Sequence, residues 1–104
     1  MNKVEQEFLI HCEDDYTDLA LLVDLIREHE HLQELKVIKE KCLNLIEKLL
    51  SDNLILAGSF MKQPPEIWPK DSKLTIKRIE KEWPDTGVPK AGDIVWFISS
   101  GKHL

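Results

Sequence analysis

The strongest hydrophobic pattern in the chain lies between His31 and Phe60, and it changes period partway along. Apolar side chains first recur at intervals of three and four residues, as on one face of a helix: Leu32, Leu35, Ile38, Cys42, Leu45, Ile46, Leu49 and Leu50. A polar break at 51–53 follows, and its asparagine can adopt the left-handed conformation that ends helices. An apolar run at 54–57 comes next. The pattern predicts a long helix over 32–51 and a strand over 54–60, and we expect the other elements to pack on these two.

Two shorter helical patterns precede the long one. The first carries Val4, Phe8, Leu9 and Cys12 on one side, and the second, at 18–29, carries Leu19, Leu22, Val23 and Ile26. Between them lies the acidic segment 13–15. A short oxygen-bearing side chain there, from Asp14, Asp15 or Thr17, can accept the amide protons of the second helix's first turn. The first third of the chain is therefore predicted to be a pair of helices.

The last third begins with a loop and ends with a strand. Three prolines, at positions 64, 65 and 69, predict a loop over 62–69 without helix or strand pairing. A helix is predicted to begin at Asp71 or Ser72 and to end before Pro84, with an inner side made by Leu74, Ile76, Ile79 and Trp83. The apolar run at 93–99 reads as a strand antiparallel to 54–60.

These elements predict an α+β, winged-helix-like fold in a single domain, 1–104. Three N-terminal helices would be followed by a two-stranded antiparallel hairpin, with a fourth helix inserted between its strands. At 42% hydrophobic residues, the chain can bury one modest core. The alternative is an irregular helical domain with a small hairpin.

The C-terminal half also resembles a group of small bacterial proteins that have no assigned activity. The resemblance lies in Arg78-Ile79-x-x-Glu82-Trp83 followed by Gly87-x-Pro89-x-x-Gly92-Asp93-Ile94-x-Trp96-Phe97, and it covers roughly residues 43–97. It implies the winged-helix-like fold and no particular chemistry. In size and charge the chain is also similar to immunity proteins of toxin systems, although no motif carries that likeness.

Charge is distributed unevenly along the chain. Residues 1–31 contain two bases and nine acids, a local net charge of −7, whereas the remainder is +2. The acidic third would repel a nucleic-acid backbone and attract a basic partner. No run of eighteen apolar residues is present, and the first residues include acids where a signal peptide has bases. We therefore expect a cytoplasmic location and no membrane contact.

Catalytic and metal-binding patterns are weak. The two cysteines, Cys12 and Cys42, form no CxxC pair and fall on apolar helix faces, so they are predicted to be reduced and structural. His11 stands beside Cys12, but adjacency on a helix does not supply the geometry of an activated nucleophile. We predict no enzyme activity, no metal and no cofactor.

The densest candidate for a binding site is the acidic segment around the single tyrosine of the chain. Clustered carboxylates can meet a basic surface while tyrosine supplies an amphipathic anchor. Trp68, in the proline loop, is the further candidate, either as an exposed anchor or as a lid over the core. The predicted partner-binding residues are Glu13, Asp14, Asp15, Tyr16, Asp18 and Trp68.

Two functions fit these patterns. The first is an immunity- or antitoxin-type protein that occludes a basic toxin domain, such as a nuclease. The second is a winged-helix DNA-binding regulator, with Gln33, Lys36, Lys39 and Lys41 of the long helix in the major groove. Charge favours the first, because glutamates interleave these lysines and the chain has no extended basic field.

Overall fold

The computed structural model describes residues 2–59 and 63–103, with the backbone alone at 102 and 103. Within them the chain forms, in order, α1 (Lys3–Asp14), β1 (Thr17–Asp18), α2 (Leu19–Glu30), α3 (Leu35–Ser51), β2 (Ile55–Ser59), β3 (Glu66–Ile67), α4 (Ser72–Glu82), β4 (Trp96–Ser99) and the single turn α5 (Ser100–His103). The α+β class is confirmed. Three helices precede the two longer strands, with β1 between the first two of them, and one helix lies between those strands. Each described helix is too short or too polar to cross a bilayer.

The described strands form one antiparallel sheet in the order β1-β4-β2-β3. The predicted pairing of the two longer strands is confirmed, with Ala57 opposite Phe97. The prediction of only two strands is wrong. Thr17 and Asp18 add a two-residue strand beside β4, and Glu66 and Ile67 add another beside β2. Prolines 64 and 65 precede this last pair, so they do not block its hydrogen bonds.

The core lies between the helices and one face of the sheet. α1 packs against α2 and β4, α2 against α3, and α3 against α4 and β2. Phe8 of α1 meets Phe97 of β4 edge to face, with ring centroids 5.8 Å apart. The preceding residue on the strand, Trp96, lies on the opposite face because strand side chains alternate, and it is half-buried. Trp83 is buried in the core, as the helical pattern predicted.

Three local predictions require correction. The residue that caps α2 is Asp18, rather than Asp14, Asp15 or Thr17. On α4 the residue expected inside, Leu74, is 60% exposed, while Thr75 is buried in its place. The last strand begins at Trp96, because Ile94 has φ 69°, a left-handed conformation that interrupts extended backbone.

Asp18 ties three parts of the fold together. Its Oδ1 accepts a hydrogen bond from the Leu21 amide at 3.0 Å, which caps α2. Its Oδ2 accepts one from the Gly92 amide at 2.8 Å, so the same carboxylate holds the loop that leads into β4. Gly92 is required at this position on two grounds, since its φ is +79° and a Cβ would lie 3.2 Å from the Trp96 ring. Asp18 is only 8% exposed, and both bonds are partly buried.

We predict that Asp18→Ala lowers the free energy of unfolding by about 2–4 kcal/mol, since it removes a helix cap and a charge-assisted bond to a partly buried amide. Asp71→Ala is the matched control, because Asp71 caps α4 from an exposed position through one bond to the Leu74 amide and should cost about 1 kcal/mol. Asp18→Asn retains one acceptor oxygen, so its loss in the free energy of unfolding should lie between those of the two alanine variants. Urea unfolding measures all three. Equal losses for Asp18→Ala and Asp71→Ala would show that the bond to Gly92 contributes nothing.

Candidate functional site

The candidate site is the segment Glu13–Tyr16, called the acidic turn below. It comprises the last two residues of α1 and the two residues that lead into β1. The three carboxylate side chains are exposed and Tyr16 is 37% exposed. Its neighbours on either side, Cys12 and Thr17, are both buried. The structure therefore presents three consecutive carboxylates and one phenol between two anchored positions.

Hydrogen bonds fix the backbone of the acidic turn. The Asp15 amide donates to the carbonyl of His11 at 3.1 Å, which closes the last turn of α1. Oδ1 of Asp15 accepts from the amide of Tyr16 at 2.7 Å. Thr17 then pairs with Phe97 in the sheet. A partner would meet charges held on an ordered backbone, which reduces the entropy lost on binding.

Asp18 follows the acidic turn in sequence and does not share its surface. Its carboxylate is buried, and both oxygens accept backbone hydrogen bonds. A partner could reach it only by breaking the cap of α2. The structure therefore assigns Asp18 to folding rather than to the exposed surface.

Trp68 is likewise separated from the acidic turn. The acidic turn leads into β1 at one edge of the sheet, whereas Trp68 follows β3 at the other. The indole is 3% exposed, donates from Nε1 to Ser59 Oγ at 3.3 Å, and lies 3.7 Å beneath the guanidinium of Arg78. Of the two roles expected for Trp68, this placement matches the lid over the core.

Several other acids of the first third pair with side chains on neighbouring helices. Lys48 on α3 lies 3.2 Å from Glu5 on α1, which is itself buried. Lys41 on α3 lies 2.7 Å from Glu30 at the end of α2. Nε2 of His29 is 3.0 Å from a carboxylate oxygen of Glu7. These pairs join α1, α2 and α3 to one another.

The two thiols lie in the core. Cys12 and Cys42 are both free and fully buried. Burial raises the pKa of each thiol to about 12, with further contributions from the carboxylates of Glu13 and Glu30 respectively. Since the thiolate is the nucleophile, neither cysteine is reactive in the folded protein at neutral pH.

The residues that the structure describes include no group of three or more His, Cys, Asp or Glu side chains placed to hold a metal ion.

Comparison of the chain with family models, curated proteins and solved structures found no match. Its function therefore has to be inferred from the chemistry of its own surface.

Leu74 marks a surface that the sequence pattern did not reveal. Helical spacing placed it inside, yet it is exposed beside a depression of about 140 Å³ lined also by Trp68, Pro69, Thr75 and Arg78. The signal available in the sequence was the row Lys73, Lys77 and Lys81, which recurs at intervals of four residues beside Leu74. An apolar residue among exposed lysines lies on the outer side of a helix.

The raised thiol pKa values predict how stability depends on pH. Folded thiols stay protonated where unfolded thiols ionise, so their contribution is complete below pH 9.0 and is lost as pH rises from 9.0 to about 12. Urea unfolding across this range should show a steeper fall for the wild type than for Cys12→Ala/Cys42→Ala. Parallel pH profiles would contradict burial of the thiols.

Proposed function

We propose that the protein is an immunity- or antitoxin-type binding protein that acts in the cytoplasm and neutralises a basic toxin domain by occluding it, without turnover. A nuclease domain is the favoured toxin. The observation that carries this proposal is the acidic turn, in which three consecutive carboxylates and Tyr16 are exposed on an anchored backbone. A nuclease binds a polyanion through a cationic cleft, and consecutive carboxylates offer that cleft an alternative anion.

The acidic turn also carries a stability cost that folding alone does not explain. Glu13 and Asp14 lie in the last turn of α1, where the helix dipole is negative and favours bases. The last turn of α1 also holds the base His11, and that of α2 mixes acids with bases, whereas the last turn of α3 carries Lys48 and no acid. Adjacent like charges repel as well. A surface segment that lowers stability is typical of a binding site, where function determines the residues.

Binding at this edge would combine steering with anchoring. The carboxylates would accelerate encounter with a basic surface, and this effect would weaken as salt rises. The Tyr16 ring would fill a depression on the toxin and mainly slow dissociation. With the acidic turn bound, the rest of the folded domain would block the toxin's substrate groove.

The alternative, a winged-helix DNA-binding regulator, would use α3 as its recognition helix. α3 packs against α2, α4 and β2, which leaves it set between neighbours rather than projecting from the fold. Of the residues expected in the major groove, Lys41 pairs with Glu30, and Gln33 precedes the first residue of α3. These contacts weaken the DNA-binding alternative and support the binding-protein proposal.

Glu13→Lys should raise the free energy of unfolding by about 0.3–1 kcal/mol, because it replaces an acid with a base at the negative end of α1. Asp24→Lys, an exposed reversal in the middle of α2, is the control and should change stability by less. The gain for Glu13→Lys should shrink as salt is added. Thermal and urea unfolding provide the measurement. A destabilised Glu13→Lys protein would show that the acid serves the fold.

The functional test uses the toxin domain encoded by a neighbouring gene. Two triple charge reversals to lysine are compared, with the same change in net charge: one at Glu13, Asp14 and Asp15, and a control at Asp24, Glu28 and Glu40, which are exposed on α2 and α3. The first should slow association sharply at low salt and abolish protection of growing cells, and the control should retain both. Tyr16→Ala should chiefly raise the dissociation rate.

Surface-plasmon kinetics and a growth-protection assay measure these effects. Protection and wild-type binding by the acidic-turn reversal would rule out this site. Sequence-specific nanomolar binding of duplex DNA by the wild-type protein would favour the regulator instead.

A further inference from the structure

The outer side of α4 combines an exposed apolar residue with a row of bases. Leu74 is 60% exposed near the start of the helix. Lys73, Lys77 and Lys81 follow at intervals of four residues, which places them along one side of the helix beside Leu74, and all three are exposed. We call these four residues the basic crest.

The basic crest borders a depression that is large enough for one side chain. It has a volume of about 140 Å³ and is lined by Trp68, Pro69, Leu74, Thr75 and Arg78. For comparison, a protein cavity of roughly 150 Å³ can hold a benzene ring. Pro69 and Leu74 give it exposed apolar walls, with the nearly buried Trp68 ring behind them, so it would accept an apolar side chain.

Charges on the basic crest remain available to a partner. The ion pairs among the described residues use Lys41, Lys48, His29 and Arg78 and none of the crest lysines. Arg78 stacks on the Trp68 ring, and its ion pair with Glu82 is long, with Nε 3.7 Å from the carboxylate and both side chains about half exposed. A carboxylate on a partner could therefore pair with the crest lysines and compete with Glu82 for Arg78.

We propose that the basic crest and its depression form a second docking surface, whose occupant is an acidic protein segment carrying one apolar anchor residue. The anchor would enter the depression beside Leu74, and acids on either side would pair with the crest lysines. This surface lies beyond β3, at the sheet edge opposite the acidic turn. It is therefore distinct from the site of the proposed toxin contact.

The same observations favour protein over single-stranded nucleic acid. Nucleic-acid strands bind by stacking bases on exposed aromatic rings. Here the Trp68 ring is 3% exposed, and Arg78 covers one of its faces. The exposed group in the middle of the bases is aliphatic, which suits the side chain of a protein anchor.

The test uses fluorescence anisotropy with three labelled probes: a synthetic peptide of alternating Asp and Glu with one central leucine, the same peptide with serine in place of leucine, and an oligothymidylate of equal charge. The leucine peptide should bind the full chain at low salt. Replacing its leucine by serine should weaken binding by about tenfold, through the loss of the buried side chain.

Variants of the protein locate the binding. Lys73→Gln/Lys77→Gln should weaken the leucine peptide about tenfold, whereas Lys3→Gln/Lys90→Gln, with the same change in net charge, should leave it unchanged. Leu74→Ser should weaken the leucine peptide and leave the serine peptide unaffected. Ile10→Ser, at a comparably exposed residue on α1, is its control. All these positions are exposed, so the variants should fold.

The proposal is overturned if the leucine peptide does not bind, if it binds no better than the serine peptide, or if the crest variants bind it as the wild type does. Tighter binding of oligothymidylate than of the leucine peptide would overturn it in favour of nucleic acid. Triple reversal at Glu13, Asp14 and Asp15 should not weaken the peptide, so this surface and the proposed toxin site can fail separately.

Discussion

The buried carboxylate of Asp18 is the constraint on which the arrangement of the sheet depends. It caps α2 and holds the Gly92 amide, and its own residue pairs with Trp96 in the sheet. A buried carboxylate is stable only when its oxygens accept hydrogen bonds, and here each oxygen accepts one. Because the loop at Gly92 leads directly into β4, the same carboxylate fixes where the central strand begins and where the acidic turn ends.

Elements whose sequence pattern extends over several residues could be predicted from the sequence, and the two-residue strands could not. The long helix repeats its apolar pattern over several turns, the two longer strands are uninterrupted apolar runs, and the structure contains all three. β1 and β3 are two residues long, so neither shows a period, and both exist only because a neighbouring strand supplies partners. The choice of Asp18 as cap over Asp14 or Asp15 also depends on tertiary contacts, since any of the three could cap in isolation.

The candidate site likewise has features that could be predicted from the sequence and features that could not. That Glu13 to Asp15 are exposed followed from their charge alone. Asp18 has the same charge and lies two residues beyond the acidic turn, but its contact with Gly92 spans 74 residues of sequence and leaves no local signal. Trp68 lies in a segment that suggested a loop, and its contacts with Ser59 and Arg78 cross from that segment to β2 and α4, which its local sequence does not indicate. Local chemistry thus predicts surface charge well and burial of polar or aromatic residues poorly.

The net charge of −5 describes neither of the two proposed surfaces. The molecule measures 36 × 28 × 22 Å, whereas charges in physiological salt are screened over about 8 Å. The acidic turn leads into the β1 edge and α4 follows β3 at the other edge, so salt largely screens their charges from each other wherever these lie farther apart than this length. Ion pairs such as Lys48 with Glu5 neutralise charge between α1 and α3. A partner approaching either edge responds to the local field, so one small acidic domain can present an acidic surface and a basic one to different proteins.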